Sequence, residues 1–116
     1  MAITALYENS ATIGATEYSL PNNSTTLTPK TDDGVFQILL DLANMAAGDQ
    51  YELKVYEKVL AAGPQRLIMP PAIYTGAQSP PAFPLPSLTL MHGWDVTMKK
   101  LAGTDRAIGW SIRQVA

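Results

Sequence analysis

His92 is the single histidine of this 116-residue chain, and Asp95 follows it three positions later. With several serines available, the first chemistry to test is nucleophilic catalysis. A triad needs an imidazole held between a hydroxyl and a carboxylate, with the nucleophile raised on a strained turn. The sequence has no Gly-x-Ser-x-Gly elbow, and its spacing fixes no such geometry. His92, next to Gly93, therefore reads as a turn or core residue. Metal chemistry lacks ligands: there is one His, no Cys, and Asp32-Asp33-Gly34 is a turn signature rather than a calcium loop. Neither phosphate-loop nor dinucleotide-binding patterns occur. Glu and Asp side chains could converge for glycosidic chemistry, yet nothing in the sequence suggests a cleft. Lys99, Lys100 and Arg106 lie near Trp94 and Trp110, the makings of a basic, aromatic nucleic-acid surface. Alternation places the Trp94 face opposite the Lys99 face, so base stacking and phosphate contacts would not share a surface. The expectation is a non-enzymatic chain with no catalytic, cofactor-binding or metal-ligating residue and no cofactor.

Composition narrows the class further. Without Cys there are no disulfides, and a reducing site of synthesis is expected. No run approaches the roughly 18 apolar residues of a membrane helix. The opening residues Met1 to Glu8 lack the basic and apolar regions of a signal peptide, so no secretory leader and no membrane partner are expected. The overlapping glycosylation acceptors in Asn22-Asn23-Ser24-Thr25 then carry no weight. A net charge of −2 and a pI near 5.1 disfavour a nucleic-acid coat. Charged residues are 16% of the chain, against roughly 25% in ordinary globular proteins. The surface is therefore rich in uncharged polar groups, covered by partners, or both. The first half is acidic: Glu8, Glu17, Asp32, Asp33, Asp41, Asp49, Glu52 and Glu57 stand against three lysines. The second half is basic, with Arg66, Lys99, Lys100, Arg106 and Arg113 against Asp95 and Asp105. If the halves formed separate faces, copies could dock by complementarity; interleaved strands would mix the charges.

The elements that must position these residues are short. Apolar runs of five to ten residues, punctuated by Gly, Pro, Asn and Asp, predict an all-β fold: a single antiparallel β-sandwich over 1–116, Ig-like or jelly-roll-like. Ile3–Tyr7 is the first run. Val35–Leu42 is nearly continuous in hydrophobicity and predicts a strand buried on both faces, or on one face and an interface. Residues 51–60 alternate, with Tyr51, Leu53, Val55 and Val59 on the core side, Glu57 as the exception there, and Glu52, Lys54, Tyr56 and Lys58 opposite. Residues 35–42, 51–60 and 66–69 could form a meander. Trp94–Leu101 and Arg106–Val115 also alternate, and Ala102-Gly103-Thr104-Asp105 between them reads as a hairpin turn, with Trp94 and Trp110 as core anchors. Residues 70–87 hold Pro70, Pro71, Pro80, Pro81, Pro84 and Pro86. Proline cannot donate to a ladder, so the segment reads as an extended arm with a short strand at Ala72–Thr75. The arm either binds a neighbour at low entropic cost or folds back over a sheet edge.

Two blocks carry a likeness. One runs from Asp33-Gly34-Val35-Phe36-Gln37-Ile38-Leu39-Leu40-Asp41-Leu42 through Met45-Ala46-Ala47-Gly48-Asp49-Gln50-Tyr51 to Lys58. The other runs from Pro86-Ser87-Leu88-Thr89-Leu90-Met91-His92-Gly93-Trp94 through Lys100-Leu101-Ala102-Gly103-Thr104-Asp105-Arg106 to Arg113. Together they resemble small β-sandwich virion structural proteins of tailed bacteriophages. The resemblance implies a capsid decoration or cement protein on the capsid exterior, made in the bacterial host cytoplasm. Its implied partners are the major capsid protein and copies of itself in a homo-oligomer, with no catalytic residue carried over. The residues expected to make the contacts are Ile3, Leu6 and Tyr7 near the N-terminus and Pro80, Pro81, Phe83 and Leu85 in the arm. A tail, collar or fibre-attachment component would share this description and differ in copy number. A carbohydrate-binding module is the third reading, with Tyr56 and Tyr74 as exposed aromatics able to stack on sugars.

Overall fold

Alternation of side chains builds nine strands: β1 (Ile3–Ile13), β2 (Tyr18–Ser19), β3 (Gly34–Asp41), β4 (Gln50–Lys58), β5 (Gln65–Leu67), β6 (Ala72–Thr75), β7 (Ala82–Leu90), β8 (Asp95–Ala102) and β9 (Arg106–Val115). The computed structural model describes residues 2–115, apart from the side chain of Pro86, and these include no helix. The strands form two antiparallel sheets, one ordered β1-β9-β3-β7 and the other β2-β8-β4, with β5 and β6 pairing the far side of β4. The pairs are nested in sequence. β1 joins β9, β2 joins β8, β3 joins β7, and β4 joins β5 and β6, and successive pairs fall in alternate sheets. An antiparallel ribbon rolled up in this way is a jelly roll, which decides between the two expected sandwich types.

The core lies between the sheets. Phe36, Ile38 and Leu40 of β3 and Ile108, Trp110 and Ile112 of β9 face Tyr51, Leu53 and Val55 of β4 and Val96 and Met98 of β8. Trp94 is fully buried at the mouth of β8. Its ring lies 4.9 Å from Phe36 and 6.1 Å from Tyr7, and its indole N–H donates to the Asp32 carbonyl at 2.7 Å. A polar pin closes the far end. Asp49 accepts from the backbone N–H groups of Ala46 and Thr104 and pairs with Arg106 Nε at 2.7 Å. These bonds hold its carboxyl at about 2. Beside it, the Tyr51 hydroxyl accepts from the Arg106 N–H and donates to the Ile13 carbonyl, both at 2.7 Å.

Several expectations change. Consecutive strands β3 and β4 lie in different sheets, so the meander reduces to the β4–β5 hairpin. Residues 102–105 carry the chain across the core from β8 to β9 instead of closing a hairpin, so Trp94 and Trp110 anchor different sheets. The first strand runs on to Ile13. On β3 one face is buried, while Leu39 is half-buried and Val35 exposed on the other. Val59 lies beyond the end of β4 and is 74% exposed, so it is not a core residue. Within the proline arm the expected strand at Ala72–Thr75 forms as β6 and pairs β4, the arm folding back on its own sandwich; the change is β7, which pairs β3 as an edge strand, where Pro84 is tolerated. The first sheet interleaves strands from both halves of the chain, so the acidic and basic halves do not separate into faces.

Candidate interaction surfaces

The expected contact residues fall at two opposite edges of the first sheet. Ile3, Leu6 and Tyr7 lie on β1, while Pro80, Pro81, Phe83 and Leu85 lie on or just before β7. Ile3, Pro80, Pro81 and Phe83 are exposed. Leu85 faces inward opposite Ile38 and is buried, so it belongs to the core and not to a contact surface. Tyr7 is half-buried: its hydroxyl bonds Asp32, Lys30 Nζ sits 4.9 Å from its ring centroid, and its pKa rises to about 12, through burial first and then Asp32. Leu6 is half-buried against the core.

A stronger apolar surface lies at the edge formed by β5 and β6. The β4–β5 hairpin ends in Val59-Leu60-Ala61-Ala62-Gly63-Pro64, where Val59 is 74% and Leu60 71% exposed. Register carries the strip onward. Leu67 stands opposite Tyr56 and Ile73 opposite Glu52, both on the outer face of the second sheet, and both are exposed along with Ile68. Lys58 and Arg66 flank the tip, and Glu57 beside them is occupied, accepting from the Met91 and His92 N–H groups at 2.6 and 3.0 Å. His92 sits in the turn expected of it, half-buried, with its carbonyl accepting from Lys58 N–H. The strip was missed because the period-two pattern was continued through Val59. The signal that could have found it is a pair of large aliphatic residues inside a turn that ends in Gly63-Pro64.

The outer face of the second sheet is polar and fully engaged at its centre. Glu17 accepts from Thr97 Oγ1 at 2.5 Å and Tyr56 OH at 2.7 Å. Burial pushes the Glu17 pKa up, and these two hydrogen bonds together with Lys54 and Lys99 more than offset it, leaving it lowered. Burial and Glu17 push the Tyr56 phenol up. Asp95 is almost wholly buried, accepts from Ser19 Oγ at 2.7 Å and Val96 N–H at 2.8 Å, and has its pKa raised by desolvation to about 6. Tyr56 is therefore half-buried with its hydroxyl occupied, and Tyr74 is buried edge-on against Phe83; neither is the open platform expected for sugar stacking.

An open groove of about 540 Å³ crosses the outer face of the first sheet, floored by Leu39, Gly109 and Ser111 and walled by Glu8, Asp41, Ala43, Pro81 and Ala82. It brings two carboxylates onto one surface, but each has a partner. Glu8 accepts from Ser111 Oγ at 2.9 Å and Asp41 from the Ala43 N–H at 3.0 Å. Among the described residues, no three His, Cys, Asp or Glu side chains cluster as metal ligands would, and no helix is long and apolar enough to cross a membrane.

No protein-family model matches the chain, and no curated protein matches it in sequence. Solved structures do. The Yersinia pseudotuberculosis-derived mitogen superimposes with a TM-score of 0.54 at 13% identity, covering 99% of this chain and 86% of the mitogen. The C-terminal family 22 carbohydrate binding module of Clostridium thermocellum Xyn10B gives a TM-score of 0.39 at 18% identity, covering 86% of this chain and 64% of the module. A pentameric capsid protein from metagenomic phage sequences gives 0.37 at 10% identity, covering 93% and 66%. At these identities the mitogen shares the fold and nothing more, and the two looser superpositions carry no argument about function.

Proposed function

We propose that this chain is a non-enzymatic structural protein of a phage virion: a decoration protein that binds the outer surface of the major capsid shell and stabilises it. The observation that carries the binding role is the apolar strip of Val59, Leu60, Leu67, Ile68 and Ile73. Exposed aliphatic side chains grouped along one edge, bordered by polar and charged residues, mark a protein contact. Burying each fully against a partner is worth roughly 1.5–3 kcal/mol. A shell repeats its binding site many times, so contacts of this modest size suffice when summed over the particle. The virion setting rests on the resemblance of residues 33–58 and 86–113 to phage virion proteins. The non-enzymatic reading draws support from the groove on the first sheet, where both carboxylates are already hydrogen-bonded.

The test has two parts. Quantitative mass spectrometry of purified particles should find the chain in a copy number that scales with the major capsid protein. A handful of copies per particle would place it in the tail or neck instead, and absence would overturn the virion reading. Purified chain should also bind shells stripped of it, and Val59→Ser with Leu60→Ser should weaken that binding by about tenfold or more while leaving the thermal midpoint unchanged. Unimpaired binding by that variant would remove the strip from the contact.

A further inference from the structure

The four sheet edges of this sandwich are not treated alike. β2 has two residues, and the chain after it returns to pair again with the same region through Ser24 and Lys30. β5 and β6 have three and four residues, separated by Pro70-Pro71. β7 carries Pro84 and Pro86 in its sequence. Short strands and prolines are the usual guards against strand addition. β1 has eleven residues, no Pro, no Lys or Arg, and one charge, Glu8. Apart from its ladder to β9, no main-chain group from Thr4 to Thr12 bonds another segment's backbone among the described residues; the Ser10 N–H is taken by the Asn9 side chain at 2.8 Å. This edge is the least guarded of the four.

A second observation lies beside it. A narrow cleft of about 190 Å³ opens between Leu6–Asn9 of β1 and the loop residues Leu20, Pro21 and Asn23, and Trp110 lines it. Trp110 is 3% exposed, yet its indole N–H has no hydrogen-bond partner. A buried donor left without an acceptor is expensive, and an acceptor arriving along the β1 edge would satisfy it.

We propose that β1 pairs antiparallel with β1 of a second copy of this chain, joining two first sheets into one continuous sheet across a two-fold axis. The strand's own pattern favours a copy as the occupant. The bulge between Ala5 and Tyr7 puts Ile3, Ala5, Glu8 and Ser10 on the outer face, in line with their β9 partners Val115, Arg113, Ser111 and Gly109. A two-fold register with Ala5 opposite the second copy's Glu8 then matches outer residues to outer residues throughout, Ile3 meeting Ser10. It sets the second copy's Glu8 in the row of Arg113, which is the charge complementarity a same-strand pair needs. On the inner face it sets the second copy's Thr4 beside Asn9, in the row of Trp110, where its hydroxyl can accept the orphaned indole N–H. This pairing does not depend on the shell-binding reading, because association in solution and shell binding are measured separately.

Sedimentation equilibrium and light scattering on the full chain should give a dimer of twice 12.5 kDa. Ser10→Pro removes the N–H that the Asn9 side chain holds in the free chain and must yield on pairing, and Glu8→Lys sets like charges in the row of Arg113. Each should weaken the dimer by at least tenfold while keeping the far-ultraviolet spectrum and cooperative melt of the parent. The chain has no Cys, so register can be read by cross-linking. Ala5→Cys mixed with Glu8→Cys should form a disulfide-linked pair faster than either alone. A monomeric parent at roughly millimolar concentration would overturn the proposal, as would a dimer indifferent to both folded variants or cross-linking without preference for the mixed pair.

Discussion

Asp95 sits where a carboxylate should not be comfortable, and replacing it with Asn tests that directly. Its side chain is buried on the outer face of the second sheet, with Ser19 Oγ and the Val96 N–H on one oxygen. Desolvation dominates, the Glu17 charge adds to it, and Lys30 and the two hydrogen bonds only partly offset them, so the pKa stands at about 6 against 3.8 for the free group. Between those values the folded protein holds a proton that the unfolded chain has released, so stability falls as pH rises through the window. The gap corresponds to roughly 3 kcal/mol at full effect, and the high effective dielectric near the protein–water boundary reduces this to about 1–2 kcal/mol. Asn keeps the acceptor oxygen for Ser19 and Val96 and carries no charge. Asp95→Asn should therefore stabilise the fold by about 1–2 kcal/mol at pH 7, with the advantage shrinking to nothing near pH 4. Urea unfolding at a series of pH values measures this, and carbon-13 titration of the parent carboxyl should show a midpoint near 6. A difference between the two proteins that stays constant with pH, or an Asn variant that loses ground as pH rises, would refute the reasoning.

Two paired substitutions separate effects that are usually mixed. Gly48 and Gly103 share φ near +90°, but a Cβ on Gly48 meets nothing within 4 Å while one on Gly103 falls 2.3 Å from Asp49 Oδ1 and 2.6 Å from its Cα. Gly48→Ala should cost about 1–2 kcal/mol for the backbone alone; Gly103→Ala should cost at least about 2 kcal/mol more, because it also dislodges the Asp49 pin, and equal losses in chemical denaturation would show the pin to be slack. Tyr51→Phe should cost about 1–3 kcal/mol by orphaning the Arg106 N–H and the Ile13 carbonyl. Tyr74→Phe should be neutral or stabilising, since that buried hydroxyl has no partner; a large loss in its melting temperature would mean that the hydroxyl is bonded after all.

Strand positions were legible because alternation is a local property. Residues 51–58, 94–101 and 106–115 each state which side chains face inward, and the burial of Tyr51, Leu53, Val55, Val96, Met98, Ile108, Trp110 and Ile112 follows that pattern. Sheet membership was not legible, because a period of two names a face without naming a partner. The segment 102–105 has the residues of a hairpin turn, yet it crosses the core. Part of the reason lies in Asp49, distant in sequence, which holds the Thr104 N–H and Arg106. The arm was misread for a related reason. Proline removes a donor, but on an edge strand a donor facing solvent is not missed, so Phe83, Pro84 and Leu85 remain in register with β3 and Leu85 turns into the core. Val59 shows the converse error: its pattern fits a strand that has already ended.

The placement of prolines also decides what kind of contact each side of the molecule can make. β6 and β7 lie together, joined by the edge-on contact of Tyr74 and Phe83 at 5.0 Å. On that side prolines remove donors from β7 and separate the short strands β5 and β6, while Val59, Leu60, Ile73 and Phe83 are exposed. A partner there meets side chains and cannot add a strand. On the opposite side β1 carries an open ladder with a single charge and mostly small or polar side chains, so a partner there is recognised by main-chain hydrogen bonds. Because β1 and β7 are the two outer strands of one sheet, occupying one leaves the other free. A dimer joined through β1 would therefore present two apolar strips at its far ends, and a bivalent ligand gains from effective concentration what each modest strip lacks in affinity. If the chain is the decoration protein proposed above, weakening the β1 pairing should reduce shell binding even though β1 lies outside the apolar strip, and the loss should vanish when single strips are measured on isolated shell subunits.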